Sequence, residues 1–361
     1  MTRALYVHVP FCDKICAYCD FMRVITHPKL IDDYLNALQL ELQSFPVASY
    51  RTIYIGGGTP TALNEDQLEA LLKLLKPFSS LVEEYTIEVN PESLTPSKAA
   101  LMRSYGINRA SLGVQTYDEN ELKLLHRGHR VDDIQRALKT LIEQGITNLS
   151  IDLIYGLPLQ TITSFDRSLR LAMSMPIQHV SLYSLTIEPH SEFGRLNVKK
   201  MDDELEEEFY FHAIHRLREH GFNQYEISNF TRHHPSMHNL TYWHYEDYRG
   251  VGPGAVSLIS GQRIENTKNL MDYFAGKFHA AIETLSDQDQ RDEFLLMGLR
   301  VREGIALSRY FDRYQRDLMS DYPKAMTLID QGLLELQNDH LRATDRGYPL
   351  LLTLLGELLE H

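Results

Sequence analysis

Apolar residues recur through the first half of the chain in two alternating rhythms. Short apolar runs at 4–9, 52–55, 85–89, 109–114, 149–154 and 179–185 alternate with longer stretches in which large apolar residues return every three or four positions. In 31–45, Tyr34, Leu35, Leu38 and Leu42 fall on one side of a helix; in 65–75, Leu68, Leu71, Leu72 and Leu75 do the same. Further helices are expected over 96–105, stopped by Gly106, over 131–144, stopped by Gly145, and over 164–173. Strands separated by helices lie parallel, because a parallel pair needs a crossover rather than a tight turn. The strands read as continuous apolar runs more than strict alternations, which suits burial on both faces. Six such βα units predict an α/β fold. The pattern leaves an open doubly wound sheet and a barrel both standing.

The rhythm changes near residue 200. A helix is expected over 201–220, and its acidic run at 202–208 reads as a solvated helix start favoured by the helix dipole. From 225 to 260 the composition shifts to His, Tyr, Asn and Gly, and from about 287 a helical segment begins. Near the end, 333–336 and 341–344 read as a hairpin turned at 337–340, followed by a leucine-rich helix over 349–359. Helices followed by a hairpin suggest a winged-helix-like module. The expected division is a barrel-like unit over 1–200, an extension over 201–285 and the helical, winged-helix-like unit over 286–361.

Composition narrows the function. A chain of 361 residues that is 43% hydrophobic can bury a barrel-sized core and a smaller one. A net charge of −13 argues against a nucleic-acid surface and favours a packing or lid role for the C-terminal module. No apolar run reaches the roughly 18 residues of a membrane span. The N-terminus enters a strand at once, without the apolar core of a signal peptide. A cytoplasmic protein is expected, and peripheral contact with the inner membrane remains compatible with it.

The chemistry is concentrated near the start. Cys12, Cys16 and Cys19 are the chain's only three cysteines and form C-x3-C-x2-C beside Pro10, Phe11, Tyr18 and Phe21. Three is a poor count for disulfides, and zinc sites usually use two cysteine pairs. Thiolates also hold iron–sulfur clusters, and three ligands on a four-iron cube leave one iron open. Three buried core cysteines are the plain alternative, and their clustering counts against it. Polar groups then gather where strands end: Gly56-Gly57-Gly58-Thr59-Pro60 after the second, Glu88 at the third and Gln115 after the fourth. Arg127 lies in Leu125-His126-Arg127-Gly128-His129, and Asp152 sits inside the apolar fifth strand. Glycine lets a backbone approach a ligand closely, a guanidinium can fork onto a carboxylate, and a buried acid demands a partner.

The cysteine loop with its flanks resembles that of radical S-adenosylmethionine (SAM) proteins. With Tyr6-Val7-His8-Val9-Pro10-Phe11-Cys12, Glu88-Val89-Asn90-Pro91, Gly113-Val114-Gln115 and Asp152-Leu153-Ile154-Tyr155-Gly156-Leu157-Pro158, the whole chain resembles the oxygen-independent coproporphyrinogen III oxidase family, closest to its HemW-type heme chaperones. The resemblance implies a partial barrel of six βα units and a [4Fe-4S] cluster on Cys12, Cys16 and Cys19, with SAM on the open iron. It implies SAM contacts from Tyr6, Tyr18, Gly57, Gly58, Thr59, Glu88, Gln115, Arg127, Asp152 and Val256. The oxidases resemble C-x3-C-x2-C-x-C, with a longer segment before the loop; here Phe21 stands at the fourth cysteine's position and eleven residues precede Cys12. Both differences favour the chaperone branch. His126 stands where the family has glycine. His238-Asn239-Leu240-Thr241-Tyr242-Trp243 matches the H-N-x-x-Y-W signature of the chaperones and implies His238 as a heme contact, with His233, His234 and His244 nearby. A packed aromatic loop around a hydrogen-bonded histidine would suit the same residues.

The expected function is a heme chaperone that binds a [4Fe-4S] cluster, SAM and heme and passes heme to apo-hemoproteins such as membrane respiratory enzymes, with an electron donor as a further partner. The alternatives are coproporphyrinogen III oxidation and radical chemistry on another substrate.

Overall fold

The computed structural model describes residues 2–360. Six strands follow the expected rhythm: β1 (Ala4–Val9), β2 (Thr52–Gly57), β3 (Glu84–Val89), β4 (Arg109–Gln115), β5 (Asn148–Tyr155) and β6 (His179–Ser184). They lie parallel in sequence order, β1 to β6, as the core of one curved sheet. Helices Pro28–Gln43, Glu65–Leu75, Pro96–Ser104, Val131–Glu143 and Ile162–Ser174 make the crossovers. Their starts follow local chemistry: Asn64 and Gln67 form a reciprocal cap at the second, and Thr95 caps the third.

Register assigns the side chains to faces. Tyr6 lies opposite Tyr54, Glu88 opposite Ser111, and Asp152 opposite both Gly113 and Ser181. Strand alternation puts Tyr6, Tyr54, Glu88, Arg109, Ser111, Asp152 and His179 on one face. The other face carries Leu5, Val7, Ile53, Ile55, Ile87, Leu112, Ile151 and Leu182, all buried in the main core. Both faces are covered, but the expectation of continuous apolar runs needs correction. The strands alternate, and the inner face buries polar groups because it lines a cavity above and a hydrogen-bonded floor below.

The sheet extends at both ends. Beside β6 come β7 (Asn223–Gln224) and β8 (Asn229–Thr231), both antiparallel. Beside β1 lies β9 (Tyr248–Val251), parallel to it, so the parallel core has a seventh strand that the short, glycine-bearing segment did not announce. β10 (Val256–Ile259), β11 (Gln262–Asn266) and β12 (His279–Thr284) continue as an antiparallel meander, for twelve strands in all. A second core follows. Helices Asp287–Gly298, Leu307–Tyr314, Lys324–Asp330 and Leu351–Leu359 pack with a small sheet of Ile305–Ala306, Leu334–Gln337 and His340–Ala343 around Phe294, Leu295, Tyr310, Leu328 and Leu354. Among the described residues no helix is long and apolar enough to cross a membrane.

Candidate functional site

The cysteine loop leaves β1 and is pinched at its base. Phe11–Cys12 pairs with Val24–Ile25, with Val24 N donating to Pro10 O at 2.7 Å and Thr26 N to Cys12 O at 3.0 Å. All three cysteines are free and partly exposed. They face a cavity of about 490 Å³ whose walls are the C-terminal ends of the strands, the end that carries chemistry in α/β barrels. Among the described residues no three His, Cys, Asp or Glu side chains converge as a single metal ion requires. A multi-iron cluster takes its cysteines on separate irons and does not need such convergence.

The glycine run joins β2 to this loop. Gly58 N donates to Val9 O at 2.8 Å, and Thr59 N to Phe11 O at 2.7 Å. Gly57 has φ +107°, and a Cβ there would lie 2.5 Å from the His8 ring. A Cβ on Gly58 would lie 2.7 Å from Phe11 O. Two neighbouring positions therefore require glycine for conformation and close approach. Thr59 Oγ1 reaches Cys12 Sγ at 3.6 Å.

Two acids sit on the cavity wall. Glu88 accepts from Tyr54 OH at 2.9 Å and from Gly57 N at 3.0 Å. Burial, with Asp152 nearby, pushes the Glu88 carboxyl up to about 7. Asp152 accepts from Ser111 Oγ at 3.1 Å, and its carboxyl is raised by burial against the opposing help of the Ser181 and Ser111 hydroxyls. Its partners are hydroxyls rather than a direct arginine. Burial also pushes the Cys12 thiol up to about 11.

Arg127 spans the top. Nη1 donates to Cys16 Sγ at 3.3 Å, and Nη2 to Asn90 Oδ1 at 2.7 Å and Gly113 O at 2.6 Å, while Nε is buried without a partner. His126 keeps the glycine-like backbone before it, with φ +58°, at a strain of about 1–2 kcal/mol for an L-residue. Gln115 also lies in the left-handed region, φ +68°, at an irregularity in the β4–β5 pairing.

The cavity thus brings together Cys12, Cys16, Tyr18, Cys19, Gly57, Gly58, Thr59, Glu88, Gln115, Arg127 and Asp152. Tyr6 and Val256 are not among its lining residues. Tyr6 OH instead bonds His8 Nδ1 at 3.0 Å, and His8 Nε2 bonds Met22 O at 2.8 Å, so Tyr6 supports the loop from beneath. Val256 opens β10, opposite Glu265. Sequence reading passed over Tyr54 and Asn90; their signal was position, since both lie on segments that end in motif residues.

His238 lies on the barrel floor. It is 1% exposed on the helix Met237–Trp243. Nδ1 pairs with Thr52 Oγ1 at 2.9 Å, Nε2 pairs with Tyr242 OH at 2.8 Å, and the ring packs on Tyr54 at 5.1 Å. Glu84 holds the helix start by accepting from Ser236 Oγ, Met237 N and His238 N at 2.9–3.0 Å. Burial, with Arg109 adding its charge, pushes the His238 imidazole down to about 3, so it is neutral at ordinary pH.

A family model for the radical SAM superfamily matches residues 6–172, and one for the HemN C-terminal domain matches 285–350. The heme chaperone HemW of Bacillus subtilis is 36% identical, with 96% of this chain and 96% of that protein covered. The chain belongs to the HemW family of radical SAM proteins. Radical S-adenosyl methionine domain-containing protein 1, mitochondrial, of Bos taurus is 34% identical over 99% of this chain and 87% of its own length. The solved coproporphyrinogen III oxidase HemN of Escherichia coli, 24% identical, superposes with a TM-score of 0.87 over 99% of this chain and 90% of its own, which establishes a shared fold.

Membership in the HemW family implies a [4Fe-4S] cluster and SAM as ligands. The residues fit both. Three free thiols face one cavity, and two of them already receive hydrogen bonds from side chains. SAM carries a cationic sulfonium and ammonium and a carboxylate; the wall offers the acids Glu88 and Asp152 for the first and the Arg127 guanidinium for the second.

Proposed function

We propose that this chain is a heme chaperone that binds a [4Fe-4S] cluster, SAM and heme and delivers heme to apo-hemoproteins, with membrane respiratory enzymes among the recipients. The observation that carries this reading is the near full-length match to the HemW heme chaperones in a chain whose cysteine loop faces the acid-lined cavity. Cys12, Cys16 and Cys19 would hold the cluster. Gly57, Gly58, Thr59, Glu88, Gln115, Arg127 and Asp152 would bind SAM, with Tyr18 closing one side. When bound, the cluster supplies a redox-active iron with one position open to the cofactor.

The chain's own residues do the holding. Arg127 sets a positive charge beside Cys16, while Glu88 and Asp152 place two buried carboxyls on the cavity wall. Tyr6 and His8 brace the loop at Met22. We assign His238 to the barrel floor, because a heme iron would have to displace Tyr242 from Nε2 or Thr52 from Nδ1. An electron donor and a cytoplasmic site of action complete the proposal.

The test is an anaerobic heme titration of the cluster-reconstituted chain, followed by its Soret band. Saturation near one heme per chain is the expected result. Absence of saturable binding, with turnover of coproporphyrinogen III, would replace the chaperone reading with the oxidase one.

A further inference from the structure

Two of the three cysteine sulfurs receive a hydrogen bond from a side chain, and the two donors meet at one residue. Thr59 Oγ1 donates to Cys12 Sγ at 3.6 Å, and Arg127 Nη1 to Cys16 Sγ at 3.3 Å. Asn90 Nδ2 donates to Thr59 Oγ1 at 3.1 Å, and Asn90 Oδ1 accepts from Arg127 Nη2 at 2.7 Å. We propose that Asn90 is a positioning residue for the iron–sulfur centre, whose single carboxamide aligns the Thr59 hydroxyl on Cys12 and the Arg127 guanidinium on Cys16. This inference rests on the reading that the three cysteines hold the cluster.

The roles of the two amide atoms are fixed by their partners. Turned over, the NH₂ would face the guanidinium donors and the oxygen would face Thr59, leaving two donors opposed. In the observed orientation the Thr59 oxygen accepts from Asn90, so its only proton is free to point at Cys12. The Asn90 backbone is itself held: its N–H donates to Thr61 Oγ1 at 3.3 Å, and its carbonyl accepts from Ser93 N at 3.1 Å and Ser93 Oγ at 3.0 Å. Gly113 O completes the acceptors around Arg127 Nη2 at 2.6 Å, so the guanidinium plane has little freedom. A cluster's potential responds to hydrogen bonds at its sulfurs, and outer partners that orient inner ligands tune a metal centre. Donors aimed at cysteine sulfurs stabilise the more negative, reduced cluster, so losing their alignment makes reduction harder.

The test is a redox titration, monitored by electron paramagnetic resonance, of the reconstituted full chain and of Asn90→Ala, Thr59→Val, the double variant and Asn90→Asp. Asn90→Ala is expected to lower the reduction equilibrium at least tenfold, which is about 59 mV for one electron. Thr59→Val is expected to reproduce part of that shift. The double variant is expected to go no lower than Asn90→Ala, because both changes break one chain of contacts. Asn90→Asp keeps the shape and the Arg127 acceptor but draws the Thr59 proton away from Cys12, so it too is expected to lower the potential, by less in the Thr59→Val background. It serves as the deciding variant if Asn90→Ala does not fold. A fully loaded Asn90 variant with unchanged potential, or shifts that simply add with Thr59→Val, overturns the proposal. A wild-type chain that takes up no cluster overturns the cysteine reading itself, and this inference with it.

Discussion

His238→Ala separates a floor residue from a heme ligand, and its size can be worked out. The substitution leaves Thr52 Oγ1 and Tyr242 OH without their partners inside the barrel. Each unsatisfied buried hydroxyl costs about 1–3 kcal/mol. Removing the ring from Tyr54 adds a void worth roughly 1 kcal/mol or more. The total is about 4 kcal/mol. At about 2.1 cal/mol/K per residue, a chain of 361 residues has a melting entropy near 0.76 kcal/mol/K, so Tm should fall by about 5 °C. The difference should also depend on pH. The folded imidazole titrates near 3, well below its unfolded value of about 6.5. The folded state therefore binds fewer protons, and this residue's contribution is full above pH 6.5. As pH falls below that, it is lost at up to about 1.4 kcal/mol per unit. Differential scanning calorimetry of the metal-free protein from pH 8 to pH 5, beside the heme titration, reads both effects. The expected result is a lowered Tm, a gap from wild type that narrows toward pH 5, and heme binding retained in the folded variant. An unchanged Tm with the Soret band lost would refute the floor assignment and make His238 the ligand.

Other perturbations read the cavity. Glu88→Gln removes a carboxyl whose folded value of about 7 exceeds the unfolded value of about 4.3. Such a group favours the folded state below pH 4.3 relative to a neutral one that does not titrate, and that advantage is lost as pH rises through 7. The variant should therefore gain on wild type by up to about 3 kcal/mol between pH 4.5 and pH 8 in paired melts of the metal-free chain; parallel curves would count against the shift. Gly57→Ala forces a Cβ to 2.5 Å from the His8 ring at φ +107°, so a loss of about 3 kcal/mol and of SAM binding by calorimetric titration is expected. Wild-type affinity would show the run to be a mere turn. Cys12→Ser, Cys16→Ser and Cys19→Ser should each abolish the reconstituted cluster's visible absorption while Tm of the metal-free chain changes by less than about 2 °C. A retained cluster in any one would remove that cysteine from the ligand set.

What could be read from the chain follows from which signals are local. The βα rhythm is a property of consecutive residues, and with it come the strand ends, where Glu88, Gln115 and the glycine run lie. Periodicity does not say which face of a strand turns inward. Nothing local in the sequence therefore marks Tyr54, Arg109, Ser111 and His179 as one inner face of the sheet, which the strand register makes them. β9 was hidden because four residues with a glycine carry too little pattern, and its pairing with β1 joins positions more than 240 residues apart. Asn90 stood inside a quoted motif, but its role depends on Thr59 and Arg127 arriving from two other βα units. The environment of His238 was equally invisible, since Thr52, Tyr54 and Glu84 come from strands far earlier in the chain.

The closed floor bears on how the cavity is reached. The helix Met237–Trp243 is tied to the barrel by Glu84 and Thr52 and to the C-terminal unit by Arg300 over the Trp243 ring at 4.8 Å and by His244 Nε2 on Glu303 at 2.6 Å. Opening that end would leave the Glu84 carboxylate, three of its donors and both His238 nitrogens without partners, and each loss carries a desolvation cost. At the opposite end the cysteine loop, Arg127 and the segment after β6 at Leu185, Thr186 and Glu188 line the cavity, and Phe21 of the loop is 69% exposed beside it. The thiols, Arg127 and the two acids all line the cavity at this end. The polar inner face consequently serves two ends: at the floor Thr52, Glu84 and His238 tie it to the helix Met237–Trp243 and fix the barrel, and at the mouth it lines the cavity, where it can bind.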